Sequence, residues 1–397
     1  MIVKIDKLKI NAIGGIDQLD LSFNSGMNII CGPNGVGKTT ILECISHSFA
    51  HFGSKTLRRN SKYESGNWAI TISNHGLSEE RIFTRHFFHP TDQGEYPDRA
   101  FEEHLLNVLV FKSNRQLQHI EVSAIPKDPI SDNYQIATEM DYIGTSPDNI
   151  KSWFLSRFMW SGHEGLLNDA QLENLELAKR CFGIIDPNVA FKKVIPDTHE
   201  ILLSAFEKDI YFEYLSSGYK SVLILLLGLI KQIEYRFKNP YLKVSDFDGL
   251  ILIDEADLHL HPQWQARLIQ VLKNVVPKAQ IILSTHSPHM VQVAEPNELI
   301  SLGLNEQSTV YRRDLPSSTF GYQGWTVEEI LKDVMGLQET RSDTYMKAIK
   351  EFEDALDKED AARATKAYKT LDLMLHPRNP LKKILEMQLA TLGGAIE

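Results

Sequence analysis

The stretch that decides the fold is CGPNGVGKTTILECI, residues 31–45. Gly32 and Gly37 bracket a turn that ends in Lys38 and Thr39 and runs straight into an apolar, helix-forming segment. The spacing G-x-x-x-x-G-K-T belongs to a loop whose backbone N–H groups surround phosphates, with the positive end of a helix behind them. On this reading Asn34, Gly35, Gly37, Lys38, Thr39 and Thr40 hold a nucleotide. The Lys38 ammonium reaches the β and γ oxygens and the Thr39 hydroxyl faces Mg2+. MNIIC before the loop reads as a strand, which supplies the strand, turn and helix that the motif requires.

Length and composition set the bounds around that loop. At 397 residues and 43% hydrophobic content, the chain suffices for one large or two ordinary domains. The start, MIVKIDKLKI, alternates apolar and charged positions where a signal peptide would carry an apolar block. No run is apolar and long enough to span a bilayer, so a cytoplasmic location with no membrane partner is expected. Cys31, Cys44 and Cys181 form no C-x-x-C pair, which points to buried thiols rather than to zinc or disulfides. A net charge of -10 excludes a uniformly basic nucleic-acid coat while leaving room for a local basic groove.

Periodicity predicts strands over residues 1–10 and 19–31, a hairpin over 67–90 turning at Asn74, His75 and Gly76, and a strand in LLNVLVF, 105–111. Two helices over 148–183, separated by Ser161, Gly162 and His163, suggest a short helical hairpin too brief for a coiled-coil arm. A strand pair follows over 190–212, then a long apolar helix over 214–237. Buried strands at 249–254 and 280–287 flank a helix from Gln263 to Val275. Short apolar strands alternating with helices mean a parallel sheet covered on both faces, an α/β fold. Residues 326–392 read as helical, broken near His376 to Pro380. The expected organisation is an N-terminal lobe over 1–147, a helical insertion over 148–189, a C-terminal lobe over 190–324 and a helical tail over 325–397.

Three further motifs carry chemistry. LILIDEADLHLHP delivers Asp254 to the end of a buried strand, where it can hold Mg2+ through water, and puts Glu255 beside it to orient the attacking water. STHSPH places His286 at the end of a neighbouring strand, within reach of the γ-phosphate or the water. LSSGYKS, 215–221, puts the Ser217 hydroxyl and the Gly218 N–H at a helix N-terminus with no acidic residue adjacent in sequence. That is an anion site. The chain's own nucleotide is already held by the phosphate loop, so this helix end is expected to close over the γ-phosphate of a second copy in a dimer.

The order GPNGVGKTT, LSSGYKS, LILIDEADLHLHP, ILSTHS resembles the ABC-type ATPase heads of the SMC and RecF class. It is most similar to the small bacterial ATPases of Septu, retron and other anti-phage defence operons, whose signature reads like LSxGYxS and whose acidic strand is followed by LHLHP. The tail GWTVEEILKDVMG resembles the C-terminal part of the same group. The resemblance implies an ABC/SMC-type P-loop head of two lobes that binds ATP with Mg2+ and hydrolyses it as a homodimer or higher oligomer. It also implies a glutamine that senses the metal: Gln116 or Gln118, both in SNRQLQH. Ser217 replaces the first glycine of the common Ser-Gly-Gly signature, and Tyr219 stands where an acidic residue or Gln is frequent.

Three functions fit such a head. A transporter's ATP-binding subunit would keep the signature closer to the acidic strand than NPYLKVSDFDG allows. A RecF-like repair ATPase acting directly on nucleic acid would need a basic groove, for which Lys55, Arg58, Arg59 and Lys62 are candidates. Defence is the favoured reading. The residues after Gly324 are too few and too helical for a TOPRIM nuclease, and Glu351, Asp354 and Asp357 read as a solvated helix face. No His-Asn-His constellation with supporting cysteines occurs. The damaging activity is therefore expected in an effector nuclease encoded alongside, HNH type favoured and TOPRIM type second.

Overall fold

The computed structural model describes residues 4–49, 56–74, 76–89, 91–92, 101–113, 122, 128, 149–316, 318–337 and 339–392. The chain divides into two compact units, Met1–Gly336 and Leu337–Glu397.

The first unit is built on a six-stranded sheet of β3 (Met27–Cys31), β6 (Val108–Phe111), β10 (Leu250–Ile253), β11 (Gln280–Ser284), β12 (Leu299–Leu304) and β13 (Val310–Arg312), ordered β13-β12-β3-β11-β10-β6. All neighbours run parallel except β13. Strand alternation sends side chains to two separate cores. Leu250 and Leu252 of β10 join one cluster, while Ile251 and Ile253 join the other. Both faces are therefore covered, as parallel sheets require.

One face carries α1 (Lys38–Ser48) and a four-stranded antiparallel sheet, β2-β1-β4-β5, made of β1 (Lys4–Ile13), β2 (Ile16–Ser22), β4 (Gly66–Asn74) and β5 (Leu77–Arg85). The other face packs α2 (Ile150–Trp160), α3 (Asp169–Ile184), α4 (Ser217–Arg236) and α5 (Pro262–Val275). Almost all of α4 is buried, which explains its unbroken apolar run. Ser216 caps it, its hydroxyl accepting from Tyr219 N at 3.3 Å.

Several expectations need correction. The segment 190–212 forms three strands: β7 (Val189–Val194), β8 (Ile201–Ala205) and β9 (Lys208–Tyr211). The tight turn at Phe206 and Glu207, both at positive φ, hides the second break from alternation. In 105–111 only Val108–Phe111 is extended, because residues Glu102–Asn107 form a 3-10 turn. The helices α2 and α3 are built into the main core. Phe154 meets Phe182 edge to face with ring centroids 5.3 Å apart. Lys151 of α2 bonds Glu200 at 2.5 Å and Glu213 at 2.6 Å, and Arg157 pairs with the fully buried Glu234 of α4.

The expected tail is divided. A short turn, Val327–Glu329, and a π-helical turn, Ile330–Val334, belong to the first unit, whose core takes in Ile330, Val334 and Met335. The second unit contains α6 (Asp343–Asp357), α7 (Ala361–Met374) and α8 (Leu381–Thr391) around its own core of Phe352, Ala364, Leu371, Leu385 and Leu389. Glu351 lies 3.5 Å from Arg363 across α6 and α7.

Candidate nucleotide site and partner-facing signature

The site begins where β3 ends. Gly32 sits at φ +144, and a Cβ there would lie 2.5 Å from Leu302 O of the neighbouring β12. Only glycine lets the chain leave the sheet so close to its neighbour. The loop then exposes Asn34, Gly35 and Thr39. Lys38 opens α1 with its ammonium folded inward, donating to Gly32 O at 2.9 Å and Pro33 O at 2.8 Å. Burial lowers the Lys38 pKa, while Cys31, Asp254, Asp257 and Glu255 oppose that fall. Two loop carbonyls thus hold the ammonium, which forms no ion pair among the described residues. Thr40 follows on the first turn of α1, half-buried.

Asp254 stands at the end of β10, its N–H donating to Phe111 O of β6 at 2.8 Å. The Thr39 hydroxyl lies 3.0 and 3.2 Å from its two carboxylate oxygens, and the Ser284 hydroxyl donates to it at 2.6 Å. Glu255 is next, at φ +48, a backbone position rarely taken by a side-chain-bearing residue. The strain is held by the Glu255 N–H donating to Ser284 Oγ at 2.8 Å. His286 follows β11, exposed, with its N–H donating to Asp257 Oδ1 at 3.0 Å. Partial desolvation of the ring and the nearby Lys38 lower its pKa, which favours the neutral imidazole.

Lys38, Thr39, Asp254, Glu255 and His286 therefore converge on one end of the sheet. Ser217 and Gly218 do not join them. They line a separate cavity of about 660 Å³ with Asp186, Ser216, His259, Leu260, His261, Pro262, Gln263 and Trp264. The expectation of no acidic neighbour holds along the sequence and fails in space, because Asp186 reaches this cavity from the end of α3. A Cβ on Gly218 would lie 2.4 Å from His259 O, so the helix end is pressed onto the loop that follows Glu255. Gln116 and Gln118 lie outside the described residues. β6, which precedes them in sequence, ends at a cavity of about 260 Å³ lined by Thr39, Glu43, Phe111, Lys112 and Asp254.

Two residues escaped the sequence reading. Asp257 accepts from the Thr285 hydroxyl at 2.6 Å as well as from His286 N, tying the loop after β10 to the loop after β11. Ser284 holds both Asp254 and Glu255. Their only signal was position, two residues past an Asp-Glu pair and two before a histidine. Of the basic candidates, Arg59 donates to His86 O at 2.9 Å, Asn60 O at 3.2 Å and Tyr63 O at 2.6 Å, and Lys62 lies 3.3 Å from Asp17. Both serve local structure. Lys55 lies outside the described residues. Among the described residues, no helix is long and apolar enough to cross a membrane.

An AAA domain matches residues 7–180 and an AAA ATPase domain matches residues 161–291. The chain is 48% identical to the Septu protein PtuA of Bacillus thuringiensis, over 99% of each chain. It is 34% identical to the Retron Vc95 probable ATPase of Vibrio cholerae, over 39% of this chain and 30% of that one. Among solved structures, the SMC head domain from Thermotoga maritima aligns with a TM-score of 0.44 and 14% identity, over 79% of this chain and all of that one.

Proposed function

Because the chain belongs to the Septu PtuA family of P-loop ATPases, we propose that two copies close around ATP and that this closure holds an effector nuclease in check. The chain is an ATPase. The observation that carries the proposal is the division of its chemistry between two faces. Phosphate loop, carboxylates and His286 share one end of the sheet, while the start of α4, with Asp186 beside it, lines a cavity that contains none of them. A second copy turned to face the first supplies what each site lacks.

In that arrangement the Lys38 ammonium exchanges its two loop carbonyls for the β and γ oxygens. Thr39 and Asp254, joined on the family resemblance by Gln116 or Gln118, offer only oxygen ligands, the donor set that suits Mg2+. When bound, the ion neutralises charge on the transferring phosphoryl group. Glu255, held aside from Asp254 by its backbone, orients the water for in-line attack. His286 is placed to hydrogen-bond the γ-phosphate. The partner's Ser217 hydroxyl, Gly218 N–H and α4 dipole complete the shell.

The effector is an HNH-type nuclease in this reading, with a TOPRIM protein as the second candidate. Its docking surface is the second unit. There Leu373 is 88% exposed and Met387 71%, with Ile384 and Met374 also at the surface, so these side chains contribute nothing to that unit's own core. Ile330, Val334, Met335, Leu371 and Leu375 are buried and take no part in it.

The test is to co-purify the chain with the product of its operon neighbour and to assay nucleic-acid cleavage with and without ATP. Cleavage that falls in ATP and returns on nucleotide depletion is expected. A neighbour that neither binds nor changes its cleavage with nucleotide would refute the gating.

A further inference from the structure

One cation beside the site has no assigned role. Arg313 follows β13, and its N–H donates to Ser301 O on β12 at 2.9 Å. Ser301 in turn pairs with Cys31, the last residue before the phosphate loop. The residue is thus registered against the strand end from which the loop departs.

Its side chain lies in a gap left by two glycines. A Cβ on Gly336, at φ +76, would lie 2.2 Å from Arg313 Nη1 and 3.5 Å from Pro33 Cγ of the loop. A Cβ on Gly303 would lie 3.1 Å from Arg313 Cγ and 3.2 Å from Cδ. Any other residue at either position would have to displace the arginine. Nevertheless, the half-buried guanidinium makes no hydrogen bond or ion pair among the described residues. Five donors in a fixed fork, held in place and unpartnered, fit an oxyanion that arrives from outside.

The sheet order says which anion. β3 lies between β11 and β12, so His286 flanks the phosphate loop from the β11 side and Arg313 from the β12 side. The group that would lie between them, above the exposed Asn34 and Gly35, is the terminal phosphate. We infer that Arg313 is a further nucleotide-contacting residue that reads the γ-phosphate of ATP from the rim of the loop at Pro33. The inference rests on the assignment of residues 32–39 as the phosphate loop. It separates ATP from ADP, because ADP has no oxygen at that place.

The experiment measures dissociation constants for ADP and for a non-hydrolysable ATP analogue with the full chain, Arg313→Ala, Arg313→Lys and Lys38→Ala. Arg313→Ala should weaken the ATP analogue roughly 10- to 100-fold, the range for a charge-assisted hydrogen bond, while ADP changes by less than about threefold. Arg313→Lys should recover part of the loss, since it keeps the charge and loses the fork. Equal weakening of both nucleotides would mean a structural role, and no weakening of either would mean no contact; both overturn the inference. The same measurements in a Ser217→Arg background, which blocks the proposed closure, separate phosphate from partner. An Arg313→Ala effect that vanishes there would assign Arg313 to an acidic group of the second copy instead. Lys38→Ala that still binds both nucleotides would sink the loop assignment itself and the inference with it.

Discussion

His47 makes the stability of the nucleotide-binding helix measurable through pH. It lies on the last turn of α1, buried, and desolvation together with the positive charges of Arg85 and Lys112 pushes its pKa down from 6.5 to about 3. The unfolded chain takes up a proton near pH 6.5, whereas the folded chain resists until about pH 3. The stability contributed by neutral His47 is therefore complete above pH 6.5 and is lost as pH falls toward 3. At pH 5, about 1.5 pH units below the unfolded value, the loss amounts to about 2 kcal/mol. Urea unfolding of wild type and His47→Gln at pH 7.5 and pH 5 reads this directly, followed by tryptophan fluorescence. Trp68, whose Nε1 donates to Ser48 Oγ at 2.9 Å, reports on the same helix. His47→Gln shifts stability at both pH values for reasons of packing, so the informative quantity is the extra loss of wild type between them. ATP at about 100 times its dissociation constant should add about 2.7 kcal/mol, enough to offset the acid effect, because α1 begins at the nucleotide. Equal acid losses in wild type and variant would refute the reasoning, for then His47 does not hold off its proton in the folded state.

Two further outcomes follow from the site. Glu255→Gln should retain ATP while hydrolysing it at least about a hundredfold more slowly, in the range for loss of a positioned base. Turnover at the wild-type rate would remove Glu255 from its assignment. Mixing Lys38→Ala with Ser217→Arg subunits should restore activity, since the hybrid dimer contains one site with both defects and one with neither. Hybrids shown to form yet inactive would count against sites shared between copies.

Legibility in the sequence followed the range of the signal. The phosphate loop, the buried strands ending at Ile253 and Ser284, and the capped start of α4 are written in local pattern, and they position the site. What local pattern omits is pairing across the sheet. Asp257 looks like any polar residue in DEADLHLHP, and its work emerges only when β10 and β11 align in parallel and bring Thr285 and His286 to its carboxylate. Asp186 likewise comes to the signature cavity from the far end of another helix. The strand pair β12 and β13 was missed because SLGL and VYRR are short and carry glycine or charge, and only the neighbouring β3 makes them a sheet edge. In the tail, helical periodicity says that residues 326–336 bury an apolar face, but not that the face belongs to the first core.

The abutment of Gly218 on His259 has a kinetic meaning. Residues 255–259 carry the water-orienting carboxylate at one end and the buttress of α4 at the other, and Ser221 Oγ, donating to Leu258 O at 3.4 Å, binds the two together. In the proposed closed pair, the loop beside the γ-phosphate on one side would be the footing for the helix that closes over the nucleotide on the other. Loss of phosphate on one side would then loosen the grip on the opposite nucleotide, and the interval between two successive events would set how long the assembly stays shut.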